Sequence, residues 1–380
     1  MRPGDLLTRQ PLLDGLNQGL HCKLTTVIAP SGYGKTTCLS QWAAQCPYPV
    51  AWLSLDRLDN DQERFWSHLV TALRQAFPSS GEATTAYLAA SEAHRTERLE
   101  LALLRDLQAV GQPFVLLLDD LQVIDLAPIF DTIAYLLDYL PDHAHLYAAS
   151  RGTLPLKLAR LRAKGQLCRL EVGDLRLRPQ EGVRYLSDRL NVPLGEDELA
   201  LLVERTEGWF GGLHLAVQSL RQSGDPARFM QSFGGRQRDI AGYLMEEFLA
   251  EQPSEARQFL LQTSMLAKMN GDLCRAVSGL ADSELLLEQL YRSNMLIAPL
   301  DFEHGWFRYH QLFGEFLQQQ AARPGSGQVA RRARRRRALV CRARAIRGSG
   351  RAFSGRRALR GKPPDCWSGT SRSGDADEIC

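Results

Sequence analysis

Residues 24–37 read LTTVIAPSGYGKTT, and this stretch decides the fold. Leu24–Ile28 is a short apolar run rich in β-branched residues, the signature of a buried strand. The next eight residues, Ala29-Pro30-Ser31-Gly32-Tyr33-Gly34-Lys35-Thr36, fit G-x-x-x-x-G-K-[ST] with Ala29 in the first glycine place. Small residues there let successive backbone N–H groups turn inward around phosphate oxygens. Gly34 permits close approach, and a helix starting at this point adds the partial positive charge of its N-terminus. Lys35 is expected to reach β- and γ-phosphates and the Thr36 hydroxyl to sit on Mg²⁺. Pro30, Ser31, Gly32, Tyr33, Gly34, Lys35, Thr36 and Thr37 are thus assigned to a nucleotide, ATP or ADP. The alternative is a glycine-rich strand–helix turn that binds nothing.

Working outward, CLSQWAAQ continues as an amphipathic helix ended by Pro47 and Pro49, and Val50–Leu55 reads as the next strand. Phe65, Leu69, Leu73 and Phe77 lie four apart on one helical face. Residues 78–90 are expected to be a loop, and Glu92–Val110 a helix. Phe114–Leu118 (FVLLL) then runs straight into Asp119 and Asp120. An apolar strand ending in acids, some 80 residues after a phosphate loop, is how a Walker B strand presents carboxylates beside Mg²⁺. Asp119 is assigned to the metal's water shell. Asp120 takes the place where a hydrolysing enzyme positions the attacking water, with a side chain one carbon shorter than Glu. Ile124–Leu140 reads as helix, and Ala144–Ser150 and Leu167–Val172 as strands. Arg151, directly after Ser150, is placed to face a γ-phosphate; an exposed loop arginine is the alternative.

Strands alternating with helices over 1–172 call for a parallel five-stranded α/β sheet covered on both faces. Beyond Leu175–Pro179 the periodicity becomes helical throughout, in GVRYLSDRL, DELALLVERT, GGLHLAVQSL, IAGYLMEEFL and SEARQFLLQT. ELLLEQLYRS, a hairpin from MLIAPL and GWFRYH, and a last helix QLFGEFLQQQ complete a winged-helix pattern. The expected domains are 1–174 (P-loop nucleotide-binding), 175–235 (helical lid), 236–321 (winged helix) and 322–380 (a disordered basic tail).

With 380 residues, 44% of them hydrophobic and 23% charged, the chain can bury a sizeable core in two or three domains. No run of about 18 apolar residues and no secretory signal is readable, which argues against a membrane span or export. The eight cysteines are scattered, without a C-x-x-C pair. That spacing fits a reducing cytoplasm better than a disulfide scaffold or zinc site.

Together these segments resemble the STAND class of P-loop ATPases, and within it the large ATP-binding, MalT-like LuxR-type transcription regulators. The likeness rests on APSGYGKTT with SQWAA, VAWLSLDRLDNDQERFWSHL, VLLLDDLQ, SRGTLPLKLARLRAKGQL, LRLRPQEGVRYL, TEGWFGGLHLAV and NMLIAPLDFEHGWFRYHQLFGEFL, nearly all of residues 5–320. The resemblance implies a switch whose nucleotide-binding, helical and winged-helix domains close around ADP at rest. Exchange to ATP with inducer would open it and allow self-association. Lys35, Thr36, Asp119 and Arg151 fall on the class's Walker A, Walker B and sensor positions. His310, in YHQLF, falls on the winged-helix histidine that reaches the ADP β-phosphate; a polar residue at a helix start is the alternative. His214 replaces the proline of the G-x-P motif that packs near adenine, and Arg9 matches an N-terminal arginine motif. At most a slow ATPase is implied.

The chain departs from this class after Ala322. Residues 323–380 hold 15 Arg and one Lys against four acids, so the overall charge of +3 conceals an acidic body and a basic end. Full-length relatives would continue into a helical-repeat sensor and a DNA-reading helix-turn-helix; neither is recognisable here. Three readings of the tail compete: a DNA-binding basic arm, contact with an anionic membrane, and out-of-frame translation of a GC-rich gene. Membrane contact lacks an amphipathic face. Synonymous codons for Arg337 onward, read from their second base, can encode an amphipathic helix–turn–helix peptide, which favours the frameshift.

Overall fold

A computed structural model describes residues 7–90, 98–190, 194–222, 225–293, 296–301 and 305–323. The expectations for the arginine-rich tail, for the start of the Glu92–Val110 helix and for the tip of the hairpin fall outside these residues. The chain divides into two units, residues 1–232 with 292–295, and 233–291 with 296–380.

The first unit is built on five parallel strands, β1 (Leu24–Ile28), β2 (Val50–Ser54), β3 (Phe114–Asp119), β4 (Ala144–Ser150) and β5 (Leu167–Leu170), in the order β2-β3-β4-β1-β5. The parallel five-stranded sheet expected from the alternating pattern is present. Every residue of β1, β3 and β4 is buried, as strands covered on both faces must be. Helices α1 (Gln10–Gln18), α2 (Lys35–Ala43), α3 (Gln62–Ala76), α4 (Glu82–Ala89), α5 (Leu99–Ala109), α6 (Ala127–Tyr139) and α7 (Ala159–Ala163) surround it. Ile28 pairs with Ser150, and Leu118 with Ala148. That register brings the C-terminal ends of β1, β3 and β4 to one edge, the usual ligand edge of an open α/β sheet. Helices α8 (Val172–Leu175), α9 (Pro179–Ser187), α10 (Glu196–Arg205), α11 (Phe210–Gln222) and α12 (Pro226–Ser232) follow within the same unit.

Two elements differ from the sequence reading. Residues 78–90 hold α4 rather than only a loop. Its first amides are capped from outside: Asp106 on α5 accepts hydrogen bonds from Ala83 N (3.0 Å) and Thr84 N (2.8 Å). The N-cap itself is Gly81, which makes no side-chain cap, so the capping group comes from more than twenty residues downstream, where local sequence does not point to it. Asp106→Ala should cost about 1–2 kcal/mol, read as a lower urea midpoint at unchanged slope. An unmoved midpoint would show that the cap contributes nothing. Helix α1 is the second addition; Leu12, Leu13 and Leu16 form its buried face, and the Tyr147 hydroxyl donates to Leu16 O at 2.7 Å.

The second unit contains α13 (Arg238–Leu244), a π-turn over Met245–Leu249, α14 (Ser254–Thr263), α15 (Gly271–Ser278), α16 (Ser283–Arg292), an antiparallel hairpin of β6 (Ile297–Pro299) and β7 (Phe307–Tyr309), and α17 (Gln311–Ala322). These helices and the short hairpin, with a core that includes Phe248, Phe259, Leu260, Phe313 and Phe316, make the winged helix. Tyr309 and Thr263 share a 2.6 Å hydrogen bond inside it. Among the described residues no helix is long and apolar enough to cross a membrane.

Candidate nucleotide site

The site grows from the end of β1. Ala29 N donates to Ser150 O, which extends the β1–β4 ladder by one residue before the chain leaves the sheet. Gly32 and Gly34 both adopt φ of +78°, a conformation glycine takes without steric cost. A side chain at Gly34 would meet nothing within 4 Å, so the space over the loop is open on that side. Gly34 is the N-cap of α2. Its left-handed turn leaves the first amides of the helix without intrahelical partners, the arrangement that accepts an anion.

Lys35 is only 7% exposed. Its ammonium bends back under the loop and donates to Ala29 O (2.7 Å) and Pro30 O (3.1 Å). Asp119, at the end of β3, is 1% exposed. Burial pushes its carboxyl above the usual carboxylate value, opposed by a hydrogen bond from the Thr36 hydroxyl, raised again by Asp120, and lowered by the Asp120 amide and Lys35. Thr36, Asp119 and Lys35 therefore meet at one point. Among the described residues no cluster of three His, Cys, Asp or Glu is placed to hold a metal. A hydroxyl and one carboxylate instead fit Mg²⁺, which keeps waters and shares its coordination with phosphate oxygens. The donor set and the open loop both fit a nucleotide polyphosphate with Mg²⁺.

Asp120 is left-handed at φ +59°, and its carboxylate accepts from Gln122 Nε2 at 2.8 Å. Gln122 Oε1 in turn accepts from Arg151 N at 2.9 Å. One amide side chain thus ties the residue after β3 to the residue after β4, so Asp120 and Arg151 stand on the same edge as the loop. Gln122 carried no signal in the sequence beyond its place two residues after the acids.

Beside the loop lies a pocket with walls from Leu12 and Leu13 of α1, Tyr33 and Cys38, Leu177, and Phe210 at the start of α11. Burial pushes the Cys38 thiol up to about 11 despite the opposing field of Arg9. It is therefore an uncharged, apolar wall at neutral pH. Arg9 also lines the pocket. Its guanidinium donates to the carbonyls of Asp174, Leu175 and Arg176 and forks onto Glu181, with Nη2–Oε2 at 3.1 Å and Nε–Oε1 at 3.3 Å. An apolar slot next to a phosphate cradle suits a flat heterocyclic base. His214 is not among its lining side chains. The His214 ring is bonded to Tyr185 Oη and Gln218 Nε2, both at 3.0 Å. Burial, then Arg189 and Arg221, push its pKa down, which favours a neutral ring.

Two contacts that the sequence did not reveal, one from a side chain and one from a backbone amide, reach carbonyls of the phosphate loop from the helical segment. Trp209 Nε1 donates to Ser31 O at 3.0 Å, and Gly211 N to Gly32 O at 2.7 Å. His310 belongs to the second unit. It is buried at the start of α17, with its amide donating to Leu296 O.

Known proteins share this architecture. Residues 245–329 match the MalT winged helix domain family. The HTH-type transcriptional regulator MalT of Klebsiella pneumoniae subsp. pneumoniae is 33% identical over 315 residues, 82% of this chain and 35% of that protein. The MalT of Yersinia enterocolitica is 33% identical over 324 residues, again 35% of its length. The chain spans about a third of the curated relatives it matches. Among solved structures, the Walker-type ATPase PABY2304 of Pyrococcus abyssi has the same fold at 17% identity and a TM-score of 0.55, covering 83% of this chain and 97% of that one.

Proposed function

The chain is MalT-like, a P-loop NTPase unit followed by a winged-helix unit, and on that premise we propose that it is a nucleotide-state switch that binds ADP or ATP with Mg²⁺ and hydrolyses it slowly or not at all. The observation that carries this reading is the meeting of Lys35, Thr36 and Asp119 beneath an open left-handed turn. The loop amides from Gly32 to Thr37 hold phosphate oxygens, and Lys35 matches their charge. Thr36 and Asp119 hold the metal, which when bound neutralises charge on the phosphates. The apolar pocket takes the base. Asp120, fixed by Gln122, is the group available to orient an attacking water, and its short side chain is consistent with slow turnover. Arg151 senses the γ-phosphate from the end of β4.

In this reading residues 1–174 form the nucleotide-binding domain, 175–235 the lid and 236–321 the winged helix. His214 acts on the lid as a support for Phe210 and Tyr185, and His310 reads nucleotide state from the winged helix. The output is that of the full-length relatives, named transcriptional regulators, of which this chain spans about a third; the chain contributes the nucleotide switch and self-association in the ATP state, while DNA binding is expected of the full-length relatives.

The test is direct. The purified chain should retain or bind ADP with Mg²⁺ and show negligible steady-state phosphate release. Robust turnover lost on Lys35→Ala would replace the switch by an ATPase working for a partner. No affinity for either nucleotide would overturn both.

A further inference from the structure

The phosphate loop does not hold its shape alone. A trans peptide points its C=O and the following N–H in opposite directions. Fixing the Ser31 carbonyl on Trp209 Nε1 therefore turns Gly32 N–H the other way, and fixing the Gly32 carbonyl on Gly211 N does the same for Tyr33 N–H. Those amides belong to the cradle. The two donors sit side by side at the start of α11, and Trp209 is fully buried. A side chain at Gly211 would crowd this contact: a Cβ there would lie 3.1 Å from the Trp209 ring and 3.2 Å from Gly32 Cα, so the neighbours would have to give by a few tenths of an ångström.

The donors are themselves held in place. Glu207 and Gly208 are consecutive left-handed residues, at φ +48° and +70°. Leu177 N donates to Gly208 O at 2.9 Å, and Arg176 pairs with Glu207 at 3.5 Å. Residues 174–176 are in turn the carbonyls gripped by Arg9. Hydrogen bonds, one ion pair and the chain itself thus connect Arg9 through 174–177 and 207–211 to Ser31 and Gly32.

We propose that Trp209 and Gly211 are positioning residues that hold the phosphate loop's peptides in the anion-binding orientation, so that seating of the 207–211 strap and nucleotide affinity are coupled. The proposal rests on the nucleotide reading above and adds to it the means by which the lid sets affinity. A nucleotide that favours oriented amides favours the seated strap, and anything that lifts the strap releases the nucleotide, by the reciprocity of linked equilibria.

The experiment measures ADP affinity with Mg²⁺, on the full chain and well below its unfolding temperature. Trp209→Phe keeps an aromatic ring at this buried position but removes the N–H together with part of the indole, so its stability is measured beside its affinity. Gly211→Ala crowds the Gly211–Gly32 approach by a few tenths of an ångström. Each should weaken ADP about three- to tenfold, the worth of one neutral hydrogen bond. Val217→Ala, on the same buried helix but with a backbone that does not meet the loop, should lower stability and leave affinity unchanged. If Trp209→Phe binds like the wild type, or if Val217→Ala loses as much, the coupling is wrong while the nucleotide reading stands. If the wild type itself binds no ADP, both fall. Should Trp209→Phe fail to fold, amide exchange on the wild-type chain replaces it. ADP should slow exchange in peptides covering 207–212 together with those covering 29–36, and unchanged exchange at 207–212 would overturn the coupling.

Discussion

Lys35→Ala is expected to weaken ADP and ATP by at least about 100-fold while leaving the ligand-free fold close to its wild-type stability. Two charge-assisted contacts to phosphate oxygens, each worth roughly 1.5–3 kcal/mol, exceed the 2.7 kcal/mol that a hundredfold represents. The ammonium is already buried and turned toward the loop, so its dehydration is met in folding and does not oppose binding. Without ligand, two effects of the substitution oppose each other. A buried charge disappears, which is favourable, and the carbonyls of Ala29 and Pro30 lose a donor, which is not. The net change should stay within about 1 kcal/mol. The clearest readout is thermal. A ligand at 100 times its dissociation constant adds about 2.7 kcal/mol, or roughly 5–10 °C for a unit of this size. The wild type should show that shift and the variant no more than about 1–2 °C. A variant that keeps the full shift would remove Lys35, and the phosphate loop with it, from the account.

What could be read from the chain was what lies close together in it. β1, β3 and β4 are apolar runs bounded by Pro, Gly or Asp, and they appear within a residue of where the pattern puts them. Ser254–Thr263 of α14 coincides with its apolar stripe. Lys35 and Thr36 are adjacent, and Asp119 reaches them because parallel strands deliver their ends to one edge. The unread parts depend on residues distant in sequence. Helix α1 contains Gly15 and Asn17, both poor helix formers. It is held by Tyr147 on Leu16 O and by Trp42 Nε1 on Asn17 at 2.8 Å. The α4 cap comes from Asp106. The Trp209–Ser31 and Arg9–Glu181 contacts span more than 170 residues. Trp209 reads locally as one more apolar residue; only the fold shows that its N–H meets the loop. His214 is singled out by its place in the helical segment, and the pocket beside the loop is lined instead by Phe210, four residues earlier and one helical turn away.

Asp119→Asn is expected to act in opposite directions on stability and on metal-dependent binding. Burial leads the causes that raise the Asp119 carboxyl above 3.8, and the Thr36 hydroxyl, the Asp120 amide and Lys35 only partly offset it. For an acid whose folded value is raised, stability is fully present below the unfolded value and is lost as pH rises through the folded one. At neutral pH Asp119 therefore weakens the ligand-free fold relative to acid pH. Asparagine keeps the shape and removes the charge, so the variant should unfold at a higher temperature than the wild type near pH 7. That difference should narrow as pH falls toward the carboxylate range. Binding should move the other way. With no carboxylate opposite Thr36, ATP affinity in Mg²⁺ should fall by about 10–100-fold, to the level measured in EDTA, where the two proteins should be alike. A carboxylate kept only for structure would give the reverse pattern, with lower stability on substitution and an unchanged response to Mg²⁺. Unfolding temperatures across pH, set beside ATP titrations with and without EDTA, separate the two. The buried charge that strains the empty fold is then the same charge that the metal requires.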